Sequence, residues 1–183
     1  MPIITPSSGG SGGAQTQIFN SLLSGSAASF DITGISGTFN HLMIVGYLRG
    51  DTAAVTVGVV LRMNNDSAAN YDEQRITGAQ ATAAAAEGIG GTQSTIGIVP
   101  ANSATAAYFG AVWAIIPSYL NATGDKPVVS PFSEASSNVT GGQLVGVASG
   151  KWRTTATPIT RLTVLPGAGK FVAGSHLSVY GLT

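Results

Sequence analysis

From Thr16 onward the chain consists of short runs of β-branched and aromatic residues, each broken by a cluster of Gly, Asn, Asp, Ser or Pro. No stretch sustains the 3.6-residue apolar period of a helix, which leaves strands as the only regular element the pattern can build. The runs place strands at residues 16–23, 26–32, 41–49, 54–64, 71–78, 106–116, 127–134, 142–149, 159–165 and 176–182. Strands this short at such regular spacing specify an antiparallel β-sandwich or barrel. Several alternate as half-buried strands do: Val55, Val57 and Val59 against Thr56, Gly58 and Val60, Leu162 and Val164 against Thr163 and Leu165, Leu177 and Val179 against Ser178 and Tyr180. The run from Tyr108 to Ile116 is apolar on both faces, so it is expected to be a central strand covered on one side by the opposite sheet and on the other by a loop or a neighbouring subunit. One stretch resists the strand pattern. Residues 80–87 hold the best helix formers in the chain, too few for a stable helix and followed at once by Gly88, and are expected to form a projecting loop with one helical turn.

With 183 residues, one domain with a full hydrophobic core is the natural size, here 15–183. The preceding residues 1–14 combine Met1-Pro2-Ile3-Ile4-Thr5-Pro6 with a Gly/Ser linker and are expected to be a flexible arm. Charged residues make up 9% of the chain against an average of about 25%, and eight Lys plus Arg balance eight Asp plus Glu. Such a chain has no basic cluster to attract nucleic acid or an anionic membrane. It also lacks the charge that keeps surfaces apart, so self-association is expected to cover its neutral exterior. With no cysteine, disulfides and thiolate metal sites are excluded. No leader of secretory type and no apolar run of bilayer length occurs, which points to a soluble protein made in a cytoplasm.

Motifs with chemical meaning are few. The Gly9-to-Gly13 segment matches Gly-x-Ser-x-Gly, but it lies in a linker rather than between a strand and a helix, so it is no nucleophile elbow. His41 and His176 each begin an expected strand, and neither brings the further ligands a metal site needs. The richest polar cluster runs from Asn64 to Asp72, where Asn64, Asp66, Asn70 and Asp72 offer the oxygens calcium favours, although the same residues are ordinary turn formers and the calcium-hand glycine and glutamate are missing. Tyr47, Tyr71, Trp113, Tyr119 and Trp152 are candidate interface anchors or sugar-stacking platforms. Carboxylates are scattered, so no catalytic residue and no cofactor is assigned.

Four segments carry a resemblance. They are 39–49 with His41-Leu42 and Arg49; 59–71 with Leu61-Arg62-Met63-Asn64-Asn65-Asp66 and Asn70-Tyr71; 150–164 with Trp152 and Ile159-Thr160; and 169–181 with Gly169-Lys170-Phe171, Gly174-Ser175 and Leu177-Ser178-Val179-Tyr180-Gly181. Together they resemble a family of small structural domains of tailed bacteriophages, found alone or as modules of tail-fibre-like and head-associated proteins. The likeness covers about residues 15–183. It departs at Met63, where the family favours an aromatic, and around Ala83, where this chain looks to carry an insertion.

The resemblance implies a jelly-roll-like β-sandwich, a homotrimer and display on the virion, with other capsid, neck or tail proteins as partners and no catalytic residues. On this basis Arg49 and Arg62 are expected to pair with Asp51 or Asp66, and Tyr180 to bury its ring with its hydroxyl on a backbone group. The leading expectation is a non-enzymatic virion protein, either a capsid decoration or a neck or tail fibre subunit. The alternative is a carbohydrate-binding module for host surface glycans, since jelly rolls also serve as lectin scaffolds.

Overall fold

The computed structural model describes residues 15–135 and 143–183; the expected arm and linker at 1–14 lie outside them. Twelve strands follow in chain order: β1 (Gln15–Leu22), β2 (Phe30–Ile32), β3 (His41–Leu48), β4 (Thr56–Met63), β5 (Tyr71–Ala79), β6 (Thr82–Gly91), β7 (Ser94–Pro100), β8 (Gly110–Pro117), β9 (Lys126–Ala135), β10 (Gln143–Trp152), β11 (Leu162–Pro166) and β12 (His176–Leu182). They form two sheets, one of eight strands in the order β1-β12-β3-β8-β9-β10-β5-β6 and one of four in the order β2-β11-β4-β7. All strand pairs are antiparallel.

The order carries a jelly roll. Leaving out β5, β6, β9 and β10, the chain changes sheet at every step except from β4 to β7, which pair with each other, so that β1, β12, β3 and β8 stand side by side in one sheet, and β2, β11, β4 and β7 in the other. Two hairpins are then added to the free side of β8. The pair β9–β10 follows β8 directly, and β5–β6 pairs onto β10. The large sheet is therefore twice as wide as the small one. Strand β7 reaches across β8, β9 and β10 to roof part of the addition.

The core lies between the sheets and follows the alternation. Leu42, Ile44 and Leu48 of β3, Val112, Ala114 and Ile116 of β8, and Leu177 and Val179 of β12 meet Val59, Leu61 and Met63 of β4, Ile96 and Val99 of β7, and Leu162 and Val164 of β11. Within the large sheet, neighbouring strands make room for large side chains where a side chain is missing. Opposite Phe132, Gly146 leaves room for the ring: a Cβ there would stand 2.4 Å from Phe132 Cζ and 2.8 Å from the Ile76 carbonyl oxygen. The ring can shift but the carbonyl cannot, so Gly146→Ala is expected to cost about 2 kcal/mol, in the overpacking range. Scanning calorimetry should show a melting point about 5 °C lower for a chain of this size; an unchanged value would mean the hairpin β9–β10 accommodates a methyl group freely.

Three sequence expectations need correction. Residues 80–87 are not a loop with a helical turn: they complete the β5–β6 hairpin, in which Ala79 pairs with Thr82, Gly78 with Ala83 and Ile76 with Ala85. Pairing with one partner strand overrides the helix preference of alanine, which is small for so short a run. The turn gives little warning, because Gln80 takes the left-handed conformation (φ 54°) that such turns usually assign to Gly or Asn. Strand β7 was not anticipated, its β-branched residues being interrupted by Gly97. That glycine is required by packing, since a Cβ would lie 2.6 Å from Val112 Cγ2. Finally, the extended run expected at 26–32 shortens to the three residues of β2, and those expected to start at 106 and 159 begin instead at Gly110 and Leu162.

The arginine pairings also differ. Among the described residues Arg49 meets no carboxylate; its guanidinium donates to the carbonyls of Thr105 and Tyr108 (both 2.8 Å), Ala101 (2.8 Å) and Ala104 (3.0 Å). Asp51 instead accepts from the Lys170 backbone N–H (2.7 Å), and Arg62 donates to Gln93 Oε1 (3.0 Å). Tyr180 is half-buried, and its hydroxyl accepts from Gln17 Nε2 at 3.5 Å rather than from the backbone.

Candidate functional site

The five candidate rings divide into two groups. Tyr71, Tyr119 and Trp152 are buried, whereas Tyr47 is 51% and Trp113 43% exposed. The hydroxyl of Tyr71 accepts from Met63 N (2.9 Å) and points its proton at the carbonyls of Met63 and Asp66 (3.3 and 3.2 Å). Burial pushes its pKa up to about 12, so the ring stays neutral throughout the working range. Tyr119 donates to the Ser36 carbonyl and is likewise raised by burial. These rings hold loops in place and offer no face to a ligand.

The candidate calcium oxygens turn out to be structural. Asn64, at φ 52°, accepts from the backbone N–H groups of Thr160 (2.9 Å) and Arg161 (3.1 Å) and donates to the Pro158 carbonyl (2.8 Å), tying the β4 turn to the segment before β11. Asp66 accepts from Ala68 N (2.8 Å), Asn70 Nδ2 (2.8 Å) and the indole Nε1 of Trp152 (2.7 Å). Asp72 accepts from Gly90 N (3.0 Å) and lies beside Lys151 and Arg153. Thus Asn64 and Asp72 face away to separate partners, and the Asp66–Asn70 pair is closed by a tryptophan. Among the described residues no group of three His, Cys, Asp or Glu side chains is placed to hold a metal ion.

Burial works against ionisation of Asp66, but its three donors outweigh that effect and hold its pKa below the ordinary 3.8. The Gly90 N–H does the same for Asp72, and the Arg161 side chain for Asp31.

Sequence inspection missed the two buried cations. Besides Arg49, the Lys126 side chain is fully buried, with Nζ donating to the carbonyls of Gly124 (2.9 Å), Thr154 (2.9 Å) and Thr155 (3.1 Å) and lying 5.8 Å from the Trp152 ring centre. Desolvation lowers its pKa. Both cations spend their donors on loop carbonyls, which makes them fasteners between loops. The histidines sit where expected, His41 accepting at Nδ1 from Ser118 N (3.1 Å) at the head of β3 and His176 beside Asn20 Oδ1 at the head of β12.

What remains open is the outer face of the large sheet. Alternation turns Val45 and Tyr47 of β3, Trp113 of β8, Val129 of β9, Val145 and Val147 of β10 and Ile76 of β5 away from the core, each between 40% and 62% exposed. Register sets them side by side. Val45 pairs with Trp113, Ile115 with Val129, Pro131 with Val147, and Val147 with Ile76, which pairs with Ala85. Tyr47 stacks on Phe109 at 4.6 Å with 14° between the rings, which fixes one corner. No Asp, Glu, Lys or Arg stands among these residues. The charges of this face lie toward one end, with Glu87 on the edge strand β6 and Lys151 3.5 Å from both Asp72 and Asp125. The expectation that the run from Tyr108 to Ile116 is covered on both sides therefore holds on one side within the chain: Val112, Ala114 and Ile116 are buried, while Trp113 faces out. Comparison with protein-family models and with curated proteins finds no match.

Proposed function

We propose that this chain is a non-enzymatic structural protein of a tailed-bacteriophage virion, a capsid decoration or a neck or tail fibre subunit that works by self-assembly, as a homotrimer, and by docking to other virion proteins. The observation that carries the proposal is how the segments of the resemblance are used. Asn64, Asp66, Asn70, Tyr71 and Trp152 lock one end of the sandwich, and Arg49 and Ser175 fasten the other, where the Ser175 hydroxyl accepts from Arg49 N at 3.2 Å. Residues that would carry chemistry in an enzyme are spent here on rigidity. A rigid jelly roll with a neutral, apolar broad face suits a part that is recognised by shape and packed against others.

Immunogold labelling of intact particles, with antibody against this chain, tests the proposal. Label at fixed positions on the particle is the expected result, and label confined to the lysate, with clean particles, would refute it. The exposed rings of Tyr47 and Trp113 also support the second reading, a glycan-binding adhesion module, because sugars stack on such faces. A glycan array with saturable hits abolished by Trp113→Ala is the result that reading requires.

A further inference from the structure

We propose that the outer face of the eight-stranded sheet, centred on Trp113, is where a second copy of this chain docks; the inference rests on the self-assembly stated above and gives it a location.

Extent is the first argument. Tyr47 and Trp113 each leave about half of a ring of roughly 150–250 Å² in water, and five half-exposed Val and Ile side chains, each smaller, extend the patch to on the order of 600 Å². A standard interface takes about 800 Å² from each partner, whereas monomers seldom leave more than about 300–600 Å² of contiguous apolar surface in water. The residues are also contiguous, crossing five adjacent strands from Val45 to Ile76 rather than being scattered.

The distribution of residue types agrees. Stable contacts place aromatic anchors at the centre and charges at the rim. Here Trp113 stands beside Val45, and across β9 the same face continues with Pro131 and its partner Val147, with Lys151, Asp72 and Asp125 at the edge. The occupant follows from charge. With eight cationic and eight anionic side chains the chain has no net charge, so two copies approach without mutual repulsion. Nucleic acid or an anionic surface would need a cluster of cations, and here the one lysine at the edge, Lys151, is already shared between Asp72 and Asp125.

Trp113 makes the test direct. The chain has two tryptophans and Trp152 is buried, so acrylamide quenching of the intrinsic fluorescence reports on Trp113. Sedimentation velocity of the full chain at micromolar concentration should show an oligomer in which quenching is suppressed, and dilution should restore it. Trp113→Glu and Val147→Glu should each raise the dissociation constant about 100-fold, a hot-spot effect, with circular dichroism unchanged. Ala168→Glu, on the exposed loop between β11 and β12, should leave assembly intact. A wild-type chain that stays monomeric at about 50 μM with Trp113 freely quenched would overturn the proposal. An oligomer unaffected by both glutamates would overturn this location while leaving self-assembly standing. A monomer whose Trp113 becomes quenchable only after residues 1–14 are removed would make that segment the occupant and equally overturn it. None of these outcomes alters the immunogold result, so the virion assignment and the docking face fail separately.

Discussion

Replacing Arg49 by Met is expected to be the most damaging single substitution away from the hydrophobic core, costing about 4 kcal/mol. The side chain is 7% exposed and its fork reaches four carbonyls, Ala101, Ala104, Thr105 and Tyr108. That set organises the segment leading from β7 into β8, whose start at Gly110 depends on the chain arriving in the right place. Methionine fills much of the volume but offers no donor, so four acceptors lose a charge-assisted bond worth about 1.5–3 kcal/mol each before compensation by water. Lysine is no substitute, because a single ammonium cannot span acceptors arranged for a planar fork. Thermal unfolding should show both Arg49→Met and Arg49→Lys melting about 10 °C below wild type. A shift under 2 °C for either would mean that water replaces the fork at no cost.

Asp66→Ala should cost about 3 kcal/mol, through a different route. The carboxylate joins the turn after β4 to Trp152 at the end of β10, two places 86 residues apart in the chain. Removing it leaves the indole N–H and Asn70 Nδ2 without their acceptor, and the Tyr71 hydroxyl loses the turn geometry it binds. Asp66→Asn keeps the shape and should recover part of the loss, since an amide can still accept from the indole.

The same site sets the acid response. Asp31, Asp66 and Asp72 all have native pKa values below 3.8. Depressed carboxylates stabilise the fold fully above the unfolded value, and that contribution is lost as pH falls through the native one. Stability should therefore be flat from neutral pH down to about 5 and drop below about pH 4. Denaturant titrations at pH 7, 5 and 3 check this. In Asp66→Ala the drop should be shallower, because one of the three contributors is already gone.

Strands of the jelly roll were legible where runs rich in β-branched and apolar residues are bounded by turn residues, as in β3, β4, β11 and β12. They became illegible where packing replaced pattern. Gly97 interrupts β7 because Val112 occupies the space a side chain would need, and β6 is a strand only because β5 lies beside it. The residues around Ala83 form the outer strand of the added hairpin β5–β6, at the edge of the large sheet.

Polar chemistry was harder to read than fold. Asn64, Asp66, Asn70 and Asp72 look like a cation loop when read in order, because the sequence does not show that Thr160, Trp152 and Gly90 come to meet them. Arg49 and Lys126 had no local partner to announce them. Their acceptors are backbone carbonyls, which every residue carries.

The sequence marks Trp113 and Tyr47 as aromatic anchors but does not show which way they point. Register now separates them from Tyr71, Tyr119 and Trp152 and puts them on one neutral surface.

A reconstruction of the intact particle at side-chain resolution tests the account most directly. The account predicts density for this jelly roll at fixed positions on the virion, with Trp113 of one copy enclosed by a neighbouring copy. Particles lacking that density, or copies whose Trp113 face stands open to solvent, would contradict it.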